Sequence, residues 1–152
     1  MTVLSGPQDG YGFEREFCEH AFIDVDRRLR RGKWHGFREE VKRVKSLQDE
    51  FGWDPKRPKT LLAQCLFHCV ASGLNRKGGD LFLFVAIGTK LDLAGVDCFF
   101  QYGDRIATFD LTVSQSKKHL RANFLIQRDQ FIRDEHYEIG RLIAQKLSLW
   151  HR

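Results

Sequence analysis

The hydrophobic pattern divides the chain into a helical first half and a strand-rich second half. Apolar residues recur every four positions over residues 13–30, which predicts an amphipathic helix. A mostly charged stretch predicts a surface helix over residues 36–51. Thr60 is placed to cap a third helix over residues 61–72. We therefore expect three helices before the first strand.

After Gly73 the pattern changes to short apolar segments bounded by turns. Strands are predicted over residues 81–87, 96–101, 105–113 and 122–127, followed by a helix over 130–150. The first strand is almost wholly apolar, which is typical of a strand covered on both faces. The element order predicts an α/β fold with a central mixed β-sheet of about four strands flanked by α-helices.

Length and composition predict a single domain over residues 1–152 with a loose N-terminal arm over residues 1–11. No apolar run approaches the roughly 18 residues of a membrane span, and no membrane partner is expected. The N-terminus lacks an export signal, so we expect a cytoplasmic protein whose four cysteines are reduced thiols.

The basic charge balance makes a polyanionic partner plausible. Lys and Arg total 25 against 20 Asp and Glu, a formal charge of +5, and the pI is about 9.2. Nucleic-acid binding and a solvated basic surface explain this excess equally well, so charge alone does not choose between them.

Two aspartates in neighbouring predicted strands form the most informative pattern. Asp97 begins one apolar strand, and Asp110 lies inside the next, between Phe109 and Leu111. A buried, unpaired carboxylate is costly, and two on paired strands repel each other. A divalent cation removes both penalties because hard cations prefer carboxylate oxygens. Hairpin pairing brings Asp97 beside Asp110 in one of the registers that the sequence allows.

A third carboxylate, Glu14, lies at the edge of the apolar stripe of the first helix, from which it can reach a metal on the sheet. These residues resemble the PD-(D/E)XK nuclease superfamily, which has the restriction-endonuclease-like fold. Its pattern is an acidic residue in a helix, an Asp on one strand, then Asp or Glu on the next with Lys two positions later. The segments Gly12-Phe13-Glu14, Gly95-Val96-Asp97 and Phe109-Asp110-Leu111-Thr112 follow that order, so the resemblance covers the first helix and residues 81–118.

The resemblance implies a metal-dependent endonuclease. Asp97 and Asp110 would bind Mg²⁺ or Mn²⁺, with Glu14 as an outer ligand and the carbonyl of Leu111 completing the site. The ion would polarise a phosphate and activate a water, so the implied reaction is hydrolysis of phosphodiester bonds in nucleic acid.

The chain departs from the superfamily pattern at Thr112, which cannot supply the positive charge of the usual lysine. Lys117 or Lys118 is the candidate for that catalytic role, with Lys90 as the alternative. Basic residues near an acidic metal site suit a phosphate backbone held against the metal. The predicted nucleic-acid contacts are Lys90, Lys117, Lys118 and Arg121. DNA is favoured over RNA as the partner, and a homodimer is expected if both strands of a duplex are cut.

Other interpretations of the acids remain open. Asp97 would cap a strand, and Asp110 would pair with Arg105, Arg121 or a lysine, if both acids are structural. The chain would then be a protein–protein interaction subunit. If the fold is shared but the catalytic lysine is missing, the chain would be a catalytically inactive nucleic-acid-binding module.

Two further sets of residues have a chemical and a structural interpretation. Cys65, His68 and Cys69 lie on one side of the third helix and would need a fourth ligand, such as Cys18 or His20, to bind zinc. They lack the paired spacing of zinc sites, so packing is the favoured interpretation. Trp34 and Trp53 are candidates for stacking on bases, although burial in the core or at an interface is favoured for both.

Overall fold

A computed structural model describes residues 10–18, 31–74, 80–112 and 122–148. Its strands are β1 (Leu81–Val85), β2 (Cys98–Tyr102), β3 (Arg105–Thr112) and β4 (Phe124–Gln127). Its helices are α1 (Gly10–Cys18), α2 (Phe37–Ser46), α3 (Gln48–Phe51), α4 (Leu61–Ser72), α5 (Lys90–Leu93), α6 (Arg128–Ile132) and α7 (His136–Ser148). The predicted α/β class is confirmed.

The four strands form one mixed sheet in the order β1-β2-β3-β4. The first three pair antiparallel, and β4 is parallel to β3. Gly103 has φ +64° in the turn between β2 and β3, a conformation that glycine adopts without steric cost. This tight turn sets the hairpin register, in which Cys98 lies opposite Phe109.

Hydrophobic residues cover both faces of the sheet. On one face, Leu83, Phe100 and Phe109 pack in a large core with residues of α1, α4 and α7. On the other face, Phe84 and Phe99 pack in a smaller core with residues of α2 and α5. Burial on both sides explains why β1 is almost wholly apolar.

The free edge of β1 is covered by the segment after α2. The side-chain amide of Gln48 donates to Val85 O (2.9 Å) and its oxygen accepts from Val85 N (3.0 Å). Leu83 N donates to Pro55 O (2.8 Å), and Trp53 Nε1 donates to Leu83 O (2.9 Å). These bonds satisfy edge groups that would otherwise be open to pairing with another strand.

Several predicted boundaries differ from the structure. The helix predicted over 13–30 begins at Gly10, inside the predicted N-terminal arm, and is described to Cys18, since residues 19–30 and the rest of the arm lie outside the described ranges. The helix predicted over 36–51 is interrupted at Leu47, which separates α2 from α3. The helix predicted over 130–150 is two helices, with Asp134 at φ 59° in the turn between them. Within the described ranges, no helix is both long and apolar enough to cross a membrane.

Candidate metal centre

Asp97 lies immediately before β2 and faces the end of β3. Its backbone N–H donates to Phe109 O (3.1 Å), which continues the β2–β3 register by one residue and sets Asp97 opposite Asp110. The two carboxyl groups are in hydrogen-bonding contact. The structure therefore places the two aspartates opposite each other across the hairpin. Leu111 N–H also donates to Asp97 Oδ2 (2.8 Å), which fixes the orientation of the carboxylate.

Three carboxyl groups converge at this point. One oxygen each of Glu14, Asp92 and Asp97 lie within 4.8 Å of one another. Asp97 is buried with 2% of its surface exposed, while Glu14 and Asp92 are half-buried. Glu14 is the acid that the sequence predicts as an outer ligand, and Asp92 is an additional member. We call Glu14, Asp92, Asp97 and Asp110 the acidic cluster.

The environment of Asp97 disfavours its charged form. Burial is the main cause that raises the pKa of Asp97 well above its ordinary value, followed by contacts with Asp110 and Asp92 and repulsion from Glu14. All these causes act in the same direction. Among the residues that the structure describes, no cationic side chain is paired with Asp97.

Helix α1 holds Glu14 against the sheet. On the same helix, Phe17 packs edge-on against Phe109 (5.8 Å between ring centroids). The carboxylate of Glu16 accepts from Arg128 Nε (2.8 Å), and the Arg128 side chain is only 4% exposed. Two independent contacts, both within three residues of Glu14, therefore hold the helix in place.

Helix α5 supplies Asp92. This four-residue helix follows β1 and packs Leu91 into the smaller core. Asp92 Oδ2 accepts from Gly88 N (2.8 Å), so the carboxylate is turned back toward the helix start. Thr89-x-x-Asp92 is the spacing of an N-terminal capping motif, and this signal in the sequence could have indicated the short helix. The position of Asp92 beside Asp97 depends on the tertiary fold and had no signal.

Three members of the acidic cluster, Glu14, Asp92 and Asp97, could hold a metal ion. Oxygen donors that converge on a point are the ligands that hard divalent ions require. A bound ion would stabilise the ionised form of Asp97, which burial and the neighbouring acids oppose.

Lys90, predicted both as a catalytic alternative and as a phosphate contact, is buried instead. Only 6% of its surface is exposed, and Nζ donates to Lys33 O (2.9 Å) and lies 3.8 Å from Glu40 Oε2. Its charge is used inside the protein, so we assign Lys90 a structural role. Lys117, Lys118 and Arg121 lie outside the described residues, and Thr112 is buried at the end of β3.

The structure also shows how far the cysteine, histidine and tryptophan candidates are buried. Cys65 and Cys69 are half-buried free thiols on α4 and His68 is exposed, and in the described part of the chain only the acidic group has the convergence of a metal site. His20 lies outside that part. Trp53 is buried at 1% exposure, as favoured, but Trp34 is 45% exposed. Trp34 lies in the segment before α2, and its exposure excludes burial in the core of this chain, whereas burial at an interface stays a prediction.

Comparisons with known proteins identify no relative. No family model matches the chain, and no curated protein and no solved structure gives a significant match.

Proposed function

We propose that this protein is a divalent-metal-dependent hydrolase that cleaves phosphodiester bonds of nucleic acid, with Mg²⁺ or Mn²⁺ as its cofactor. The observation that carries the proposal is the convergence of Glu14, Asp92 and Asp97 within 4.8 Å around a buried carboxylate that no described cation neutralises. The order of Glu14, Asp97 and Asp110 along the chain, which resembles that of PD-(D/E)XK nucleases, also supports the proposal.

In this proposal Asp97 and Asp110 are the central ligands, and Glu14 and Asp92 bind directly or through water. Hard oxygen ligands favour Mg²⁺ or Mn²⁺ over softer ions. The bound ion would polarise the scissile phosphate and lower the pKa of a water that attacks phosphorus. The Leu111 amide, which already donates to Asp97 Oδ2, would keep that carboxylate in place during the reaction.

The charge that develops on the phosphate needs a second cation. Thr112 is uncharged, so we assign this role to Lys117 or Lys118, with Arg121 as a phosphate contact. The net charge of +5 favours a polyanionic substrate, and DNA is our first choice. A homodimer would place two such centres on opposite strands of a duplex.

Cleavage and metal binding are tested separately. Calorimetric titration with Mn²⁺ should show one saturable site that Asp97→Asn removes. Linear and circular DNA should be cut with Mg²⁺ or Mn²⁺ and left intact in EDTA. Asp104→Asn, an exposed acid in the β2–β3 turn, is the matched control and should behave like the unmodified protein. Absence of Mn²⁺ binding would refute the site, whereas binding without cleavage would refute the hydrolysis.

The second candidate is a nucleic-acid-binding module that holds a metal but does not cut. The uncharged, buried Thr112 at the usual lysine position favours it. Introducing the missing charge by Thr112→Lys separates the two proposals, because only an inactive module should gain cleavage from that substitution.

A further inference from the structure

An exposed aromatic and basic surface lies between the described residues 31 and 38. Trp34 and Phe37 are each 45% exposed, and the flanking Arg31, Lys33 and Arg38 are also exposed. Most tryptophans in a protein of this size are largely buried, so an exposed indole beside three cationic side chains needs an explanation. We call these five residues the Trp34 surface.

Two buried side chains form hydrogen bonds with the backbone of the segment that carries Trp34. Lys33 O accepts from the buried Lys90 Nζ (2.9 Å), and His35 N donates to the buried Glu40 Oε2 (3.0 Å). Gly32 and Gly36 bracket the segment with φ of +99° and +94°, conformations that side-chain-bearing residues rarely adopt. The buried ion pair of Lys90 with Glu40 and the two glycines thus fix this loop, and the Trp34 side chain remains exposed.

The same short helix links this loop to the acidic cluster. Lys90, which holds the loop, and Asp92, which belongs to the cluster, are two residues apart in α5. The Trp34 surface and the acidic cluster are therefore both anchored through α5.

We infer that the Trp34 surface binds an unpaired nucleic-acid strand, with a base stacked on Trp34 and phosphates held by Arg31, Lys33 and Arg38. Aromatic rings bind unpaired bases without sequence preference, and adjacent cations follow the backbone. In a duplex the faces of the bases are already stacked on one another and cannot receive the indole. The inference rests on the proposed function for the class of ligand, and it adds that the protein binds a single-stranded part of the nucleic acid.

The test measures binding in EDTA, where the proposed cleavage cannot occur. Fluorescence anisotropy compares a labelled single strand of DNA, one of RNA and a DNA duplex of the same length. At least one of the single strands should bind about tenfold more tightly than the duplex. Trp34→Ala should weaken single-strand binding about tenfold, and Trp34→Phe should retain most of it. Leu61→Ala removes another exposed apolar side chain, on α4, and should change nothing.

Two outcomes would overturn the inference: equal binding of strand and duplex, or full affinity in Trp34→Ala with its circular dichroism unchanged. Failure of the proposed hydrolysis is recognised independently. Single-strand binding that depends on Trp34, without cleavage in Mn²⁺, leaves the inference standing and refutes the nuclease. Cleavage with an unchanged KM in Trp34→Ala refutes the inference and leaves the nuclease standing.

Discussion

Replacing Asp97 by asparagine should stabilise the metal-free protein while it abolishes metal binding. Asparagine has nearly the same shape, and its side-chain oxygen can still accept from Leu111 N–H, a bond of 2.8 Å in the structure. The substitution removes a charge that is 2% exposed and surrounded by other acids. It also gives the neighbouring carboxylates a donor in the new amide.

The size of the effect follows from the separation of the carboxylates. Oxygens within 4.8 Å of each other repel by roughly 3 kcal/mol per ionised pair at an effective dielectric constant of about 20. Partial protonation of the cluster relieves part of this, so we expect a net gain of about 1–3 kcal/mol at pH 8. For a chain of this length, that gain raises Tm by about 2–10 °C.

The pH dependence has a defined sign. The folded-state pKa of Asp97 is raised above its unfolded value, so the folded state binds more protons between the two pKa values. The destabilisation by Asp97 is therefore absent below its unfolded-state pKa of about 4. It grows as the pH rises from that value to the folded-state pKa and is complete above the folded-state pKa. The advantage of Asp97→Asn should disappear toward pH 4.

Urea unfolding at several pH values, in EDTA and in Mn²⁺, measures these effects. Mn²⁺ at about 100 times its Kd should stabilise the unmodified protein by about 2.7 kcal/mol and leave Asp97→Asn unchanged. In Mn²⁺ the unmodified protein should therefore become as stable as Asp97→Asn or more stable. Asp104→Asn should follow the unmodified protein in both solutions. If Asp97→Asn is the less stable protein in EDTA at pH 8, Asp97 is neutralised by a partner and the electrostatic reasoning is wrong.

Three further predictions test the site and its framework. Mn²⁺ affinity should rise with pH, with protons released on binding, because the raised pKa of Asp97 makes protons compete with the metal; a pH-independent Kd in calorimetry would contradict this. Gly140→Ala should lower stability by about 1–3 kcal/mol in thermal melts, since the new Cβ would lie 2.4 Å from Cys69 Cβ where α7 crosses α4, and an unchanged Tm would contradict that packing. Arg128→Ala should cost about 3 kcal/mol in urea unfolding by leaving Glu16 unpaired, and the double change with Glu16→Gln should recover part of the loss; no recovery would mean that the pair is not coupled.

The sequence predicted the elements whose pattern is local. Period-two alternation and a glycine turn suffice for the β2–β3 hairpin, and Thr60 caps α4 as expected, accepting from Ala63 N at 3.2 Å. The interruption at Leu47 was missed, because the apolar spacing continues across it and the break is tied to tertiary contacts of Gln48 with β1. Side-chain bonds to a distant strand leave no periodic signal.

The sequence predicted the part of the candidate site that strand pairing determines, which is the pair of Asp97 and Asp110. Asp97 and Asp110 could be expected to meet because a hairpin brings together only a few registers. Lys90 was assigned to phosphate binding because a lysine near acids has that role as readily as a structural one. Its burial against Glu40 depends on the packing of α2 on α5, between residues fifty positions apart.

The wrong role predicted for Lys90 and the failure to predict Asp92 have one origin, because both residues lie in α5. It has only four residues, too few for a period of 3.6 to be recognised, and it lies in what the sequence presents as a loop between two strands. Yet one of its side chains anchors the segment of Trp34, and another completes the acidic cluster. Isolated helices this short are unstable in water, so α5 exists only because Leu91 is buried in the smaller core. The position of the Trp34 segment and that of Asp92 in the acidic cluster therefore both depend on the burial of Leu91 in the smaller core.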